Sequence, residues 1–168
     1  MTDDPHLTAL AEQLGQLLVQ RKLTLTLAES CTGGLCAEII TRISGSSAWF
    51  DCGFITYSNQ SKEILLNVSN NTLSSFGAVS EEVAIEMGRG ANKSFGSTWA
   101  IANTGVAGPG PSDGSDAGRV FVAFVGPVVQ VIELSLSGER EVVRNATVAS
   151  AIASFARILR QRDKQEKG

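Results

Sequence analysis

The stretch Leu23-Thr24-Leu25-Thr26-Leu27-Ala28-Glu29-Ser30-Cys31-Thr32-Gly33-Gly34 constrains the fold more than any other part of the chain. Its first half alternates leucine with β-branched threonine, which is strand patterning. From Leu35 onward, Leu35, Ile39, Ile40 and Ile43 recur at helical spacing. A serine and two glycines therefore occupy the junction where a strand becomes a helix. Such a junction exposes side chains and gathers free backbone N–H groups at one point. It suits an anion site, or a nucleophile beside an oxyanion hole. It equally suits a plain helix cap, because serine is a preferred N-cap residue.

The flanking sequence continues this alternation. Leu7, Leu10, Ala11, Leu14, Leu17 and Leu18 predict a helix over about 5–21. Strands are predicted at 24–28, 49–57 and 98–104. A helix from Leu35 stops near Ser44-Gly45, and a short one covers 62–66. Another opens with Ser80 as N-cap, carries Glu81 and Glu82 in its first turn, and runs to about Asn92. A glycine-rich loop spans 105–118. Strands at 119–125 and 129–136 are joined at Gly126-Pro127 as a hairpin. A terminal helix runs from Glu139 to about Arg162, and the charged tail at 163–168 is expected to fray. Helices alternating with strands early and a hairpin late predict an α/β protein. The architecture expected is a three-layer α/β/α domain with a mixed parallel and antiparallel sheet, one domain over 1–168. Sites in such sheets collect at the carboxyl ends of strands. Segments 29–34, 57–62 and 104–110 fall at such ends and are expected to converge.

Composition narrows the functions open to such a site. At 168 residues, 43% hydrophobic and 18% charged, the chain has the make-up of an ordinary globular domain. Its net charge of -3 argues against nucleic acid as a partner. No apolar run in the sequence approaches membrane-spanning length, and the acidic start Met1-Thr2-Asp3-Asp4 is unlike a signal segment. The expected compartment is the cytoplasm, with no membrane partner. Three cysteines, Cys31, Cys36 and Cys52, show no paired spacing, so thiols are expected. A single histidine and the lack of CxxC or HExxH leave too few ligands for a usual zinc site.

If Ser30 is a nucleophile it needs a base. The one histidine, His6, lies near the terminus, which argues against a Ser-His-Asp triad. A lysine serves if burial depresses its pKa enough to make its amine neutral. Lys62, in Tyr57-Ser58-Asn59-Gln60-Ser61-Lys62, is the best placed. A solvated helix lysine is the commoner role for such a residue, and Tyr57 reads as a packed aromatic or as a proton relay. Cys31 is a rival nucleophile at the helix start, although free cysteine is more often a small buried hydrophobe. Gly33 and Gly34 either permit close packing or let N–H groups reach a substrate oxygen. The loop Asn103 to Pro111 lacks a Walker ending and a GxGxxG pattern, and reads as a rigid surface loop or a ligand contact. Arg140 and Arg144 lie one helical turn apart and can grip a phosphate, or pair with Glu139 and Glu141.

The ordered set Ala28 to Gly34, Gly45-Ser46-Ser47, Tyr57-Ser58-Asn59 with Lys62, Gly77 to Ala84, and Thr104 to Gly110 resembles the CinA C-terminal domain family over nearly the whole chain. Stand-alone members of that family include nicotinamide-nucleotide amidases. The resemblance implies hydrolysis of the nicotinamide mononucleotide carboxamide to nicotinic acid mononucleotide and ammonia, a salvage step, with no cofactor and no metal. It implies Ser30 as nucleophile, Lys62 as base, Tyr57 in the same site, and Thr104 and Gly105 on the substrate side. Gly138-Glu139-Arg140 with Arg144 is similar to a family signature in which aspartate is usual where Glu139 stands. Pro111 and Asp116-Ala117 also depart from the usual loop. The mechanism expected is acyl transfer, with Gly33 and Gly34 supplying oxyanion N–H groups and Arg140 or Arg144 the phosphate contact. A homo-oligomer, a dimer, is expected. Two alternatives stay open: a non-catalytic, competence- or recombination-linked binding protein of the same family, and an amidase for another carboxamide.

Overall fold

The computed structural model describes residues 4–166. The expectations for Met1 to Asp3 and for the last two residues lie outside them. The elements run α1 (Pro5–Arg21), β1 (Leu25–Glu29), α2 (Leu35–Thr41), a short 3-10 turn (Ser46–Ala48), β2 (Phe50–Ile55), α3 (Asn59–Leu66), α4 (Asn70–Phe76), α5 (Glu81–Phe95), β3 (Trp99–Gly105), β4 (Arg119–Val125), β5 (Val129–Ser135) and α6 (Arg140–Glu166).

The five strands form one sheet in the order β2-β1-β3-β4-β5. β1 runs parallel to β2 and β3, whereas β3–β4 and β4–β5 are antiparallel. The sheet is therefore mixed, as the order of elements predicts. Side chains alternate between its two faces. Leu25 and Leu27, Trp99 and Ile101, and Val120, Val122 and Phe124 join α1, α2 and α6 in one core. Ala28, Ala100, Ala102, Phe121, Ala123 and Val125 join residues of α3, α4 and α5 in the other. Small residues on the second face let α5 lie close. Gly90 of α5 lies so close to α3 that a Cβ there would come to 1.9 Å from the Leu66 carbonyl oxygen. That contact helps to fix the helix that carries Lys62.

Several boundaries differ from the sequence reading. α3 begins at Asn59 rather than Lys62, because Ser58 and Ser61 form a reciprocal capping box. α4 was not anticipated: it is polar and short, capped by Ser69 accepting from Thr72 N–H, and lacks a clear apolar period. The tail expected to fray after Arg162 stays helical through Glu166, and Asp163 pairs with Arg21 of α1. α6 is long and apolar enough, by length and composition alone, to cross a membrane, with a mean hydropathy of 1.2 over its most apolar stretch. Its apolar residues Val143, Val148, Ile152 and Phe155 lie instead in the core, with the Phe155 ring 5.3 Å from Trp99.

The carboxyl ends of β1, β2 and β3 share one edge of the sheet. The segments that leave them therefore meet, and a cavity of about 210 Å³ opens between them.

Candidate active site

Ser30 follows directly on β1 and is buried. Its backbone N–H donates to Asn103 Oδ1 on β3 at 3.2 Å. Lys62, in the second turn of α3, is only 2% exposed. Its Nζ reaches Ser30 Oγ at 3.0 Å and the Thr56 carbonyl at 2.9 Å. Burial pushes the amine pKa below its usual value, while the Asp113 carboxylate and Cys31 partly oppose this. A neutral amine keeps its donation to Thr56 and accepts the Ser30 O–H through its lone pair across the same 3.0 Å. The pair thus has hydrogen-bond reach, a depressed base and an exit toward the cavity.

The other sequence-selected residues divide. Ser30, Tyr57, Lys62, Thr104, Gly105 and Arg140 line the cavity together; Gly33, Gly34 and Arg144 do not. Tyr57 stands 59% exposed, and its hydroxyl accepts from Arg140 Nη2 at 2.7 Å. Its partner is thus Arg140 rather than Lys62. Arg140 also donates to the Gly108 carbonyl at 2.6 Å. Thr104 donates its hydroxyl to the Ala78 carbonyl at 2.6 Å, leaving its oxygen able to accept. Arg144 donates to the Thr32 carbonyl at 2.7 Å and faces a neighbouring groove, so it braces the serine turn.

The N–H groups of Gly33 and Gly34 do not face the cavity. Gly33 N–H donates to the Ser30 carbonyl at 3.0 Å, and Gly34 N–H to Glu29 Oε2 at 3.1 Å. Both glycines have positive φ, 56° and 96°, so their role is conformational. A Cβ on Gly34 would also come to 2.9 Å from Ile55 Cδ1.

Glu29 explains where the donors went. Its carboxylate, 1% exposed, accepts from Gly34, Cys36 and Ala37 N–H and from the Thr32 hydroxyl. It caps α2 from the preceding strand and clamps the turn that carries Ser30. Asn103 holds the same turn from β3, donating to Thr32 Oγ1 at 2.9 Å. Sequence reasoning missed Glu29, Asn103 and Thr56 as site residues. The signal for Glu29 was an acid directly before the serine at the end of a buried strand. Cys31 is not a poised nucleophile. Burial pushes its thiol up to about 12, Glu29 adds to this, and Lys62 and Arg144 oppose it. Among the described residues, no group of three or more His, Cys, Asp or Glu side chains is placed to hold a metal ion.

A family model described as the CinA C-terminal domain matches residues 7–159. The chain belongs to the CinA C-terminal domain family. Among curated relatives, the nicotinamide-nucleotide amidohydrolase PncC of Escherichia coli K12 is 45% identical over 155 residues, covering 90% of this chain and 94% of its own. A putative competence-damage inducible protein of Clostridium botulinum is 44% identical over 155 residues, 91% of this chain but 38% of its own length. A CinA superfamily structure from Klebsiella pneumoniae superimposes with a TM-score of 0.90 at 33% identity, covering 92% of this chain and 98% of that one. The Agrobacterium tumefaciens protein CihA gives 0.87 at 36% identity, covering 92% and 96%. Within this family the α/β fold and mixed sheet are therefore shared.

Proposed function

We propose that this CinA-family chain is a nicotinamide-nucleotide amidohydrolase, converting nicotinamide mononucleotide to nicotinic acid mononucleotide and ammonia. The observation that carries the chemistry is the buried 3.0 Å contact between Lys62 Nζ and Ser30 Oγ. The relatives named PncC, 45% identical over most of the chain, support the substrate.

The reaction runs as acyl transfer. Neutral Lys62 takes the Ser30 proton as Oγ attacks the carboxamide carbon. The lysinium returns that proton to the departing ammonia, leaving a nicotinoyl-serine ester. Water then attacks the ester, with Lys62 again as base, and the acid is released. The oxyanion needs donors other than Gly33 and Gly34. The Cys31 N–H, directly after the nucleophile, and the N–H groups of Ala107, Gly108 and Gly110 are the candidates from residues lining the cavity. The Thr104 oxygen, its hydroxyl proton given to Ala78, is assigned the carboxamide nitrogen. Arg140, held by Tyr57 and Gly108 at the mouth, is assigned the phosphate, and Arg144 the support of the turn.

Single-turnover ammonia release from nicotinamide mononucleotide tests the reading. Ser30→Ala and Lys62→Ala should each lose at least about a hundredfold in rate. Near-normal release by either variant would sink the dyad, and none from the unmodified protein would favour a non-catalytic binding role. Preferential release from free nicotinamide would point to a different amidase. The cytoplasm is proposed as the compartment on the strength of three free thiols. A homodimer is proposed because edge strand β2 exposes Ile55 and helix α3 exposes Ile64 and Leu65.

A further inference from the structure

The cavity beside Ser30 has one acidic side chain that the dyad and the arginines leave unexplained. Asp113 is the sole carboxylate among the described residues lining it. Asp113 and Gly114 both have positive φ, 49° and 72°. Reciprocal backbone bonds close the turn around them, Ser112 N–H to Ser115 O at 3.0 Å and Ser115 N–H to Ser112 O at 2.9 Å. This is the primed two-residue hairpin geometry that favours Asp-Gly and Asn-Gly. Ser112 Oγ donates to Asp113 Oδ2 at 3.3 Å. The Asp113 carbonyl faces Gly77, and a Cβ added there would lie 3.9 Å from it. The carboxylate is thus presented by a closed turn backed by the chain, within a loop otherwise rich in glycine and serine.

We propose that Asp113 is a specificity residue that reads the fixed positive charge of a pyridinium ring in the substrate. The proposal rests on the nicotinamide-nucleotide function above. A cavity of about 210 Å³ admits a six-membered ring with its carboxamide. With the carboxamide carbon at Ser30 Oγ, the ring lies within the cavity that Asp113 lines. The charged side chains there are Lys62, Arg140 and Asp113. With Lys62 neutral, the site offers one anion and one cation. A mononucleotide carries a ring cation and a phosphate anion, and so matches Asp113 and Arg140 in sign. Free nicotinamide has a neutral ring and gains nothing from either.

The same carboxylate links binding to activation of the base. Asp113, from its loop, carries the charge that most favours lysinium at Lys62, with Cys31 of the serine turn the lesser neighbour. The Cys31 thiol stays protonated, and Arg140 of α6 and Tyr57 after β2 share the cavity. A cationic ring seated beside Asp113 offsets that carboxylate and disfavours a second positive charge on Lys62. A pyridinium substrate therefore shifts the lysine toward its neutral, reactive form, and a neutral ring does not.

Asp113→Asn tests this with the turn intact, since Asn-Gly suits the same geometry. KM for nicotinamide mononucleotide should rise about tenfold. Competitive inhibition by ribose 5-phosphate, which keeps the phosphate and lacks the ring, should change less than about twofold. Asp113→Glu should restore part of the loss. An unchanged KM, or equal weakening of both ligands, would overturn the assignment while leaving the amidase function standing. Absence of ammonia release by the unmodified protein would remove both.

Discussion

Glu29→Gln measures how far the site geometry depends on one buried carboxylate. Oε2 accepts from Gly34 N–H and Cys36 N–H, both at 3.1 Å, and from the Thr32 hydroxyl; Oε1 accepts from Ala37 N–H at 2.8 Å. A glutamine has one oxygen and one NH₂ to offer. Its better orientation puts the oxygen where three donors converge and turns the NH₂ toward Ala37 N–H. One N–H then loses its acceptor, at about 1–3 kcal/mol. Losing an anion at the start of α2 removes about 0.3–1 kcal/mol more, up to ~2 in a partly buried setting. The sum centres near 3 kcal/mol, which lowers Tm by roughly 6–12 °C in a domain of this size. The released turn carries Ser30, whereas Thr104, Arg140 and Asp113 stand on other elements. Misplacing a reacting group by about 1 Å can cost a hundredfold in rate. We therefore expect kcat to fall about ten- to a hundredfold, with KM within about threefold of the parent value. Thermal unfolding and steady-state ammonia release on the same preparation decide the matter. A Tm within about 2 °C of the parent with unchanged kcat would refute the clamp. A rise in KM alone would move Glu29 from positioning the nucleophile to shaping the substrate pocket.

Burial lowers the Lys62 pKa, and the proposed mechanism uses the neutral amine. The rate should therefore climb as pH rises through the lowered value and be lost below it, and Lys62→Arg should be inactive at every pH. Between that folded value and the ordinary 10.5 of an unfolded lysine, the unfolded chain binds more protons. Stability should rise with pH across that window, and Lys62→Met should flatten the slope in denaturant titrations; a falling slope in the parent would contradict the sign. Cys31→Ala should keep ammonia release within about threefold of the parent, because a thiol pushed up to about 12 is protonated at neutral pH. A loss of about a hundredfold or more would instead reinstate Cys31 as the nucleophile.

The sequence made the scaffold legible because its strands are short and strongly patterned. β4 was expected at 119–125, where it lies. α4 escaped because its seven residues are held by a serine cap and by Thr72 donating to Glu86, tertiary features with no periodic trace. The convergence of Ser30, Lys62 and Thr104 followed from placing three segments at carboxyl ends of neighbouring strands. The partners of individual polar groups did not follow, because hydrogen bonding is settled by side chains distant in sequence. Arg144 and Arg140 share a helix, yet one braces the Thr32 carbonyl and the other reaches Gly108 and Tyr57.

The clearest case is the turn after β1. A strand-to-helix junction with two glycines predicts N–H groups aimed at a ligand, and that inference holds only if nothing in the protein takes them first. Glu29 sits at the end of β1 with its side chain directed at the start of α2. A resident anion there competes with any bound one, and it is covalently present at all times. The turn thus gives up its role as an anion site and gains rigidity, with the N–H groups of residues 34, 36 and 37 bound to a carboxylate. Rigidity is what a serine attacking a fixed carbon requires, since precision of placement contributes as much to acyl transfer as the strength of the base. Under the proposed mechanism the glycines act through φ rather than through hydrogen bonding. Their replacement by alanine should therefore act through the same loss of serine placement as Glu29→Gln.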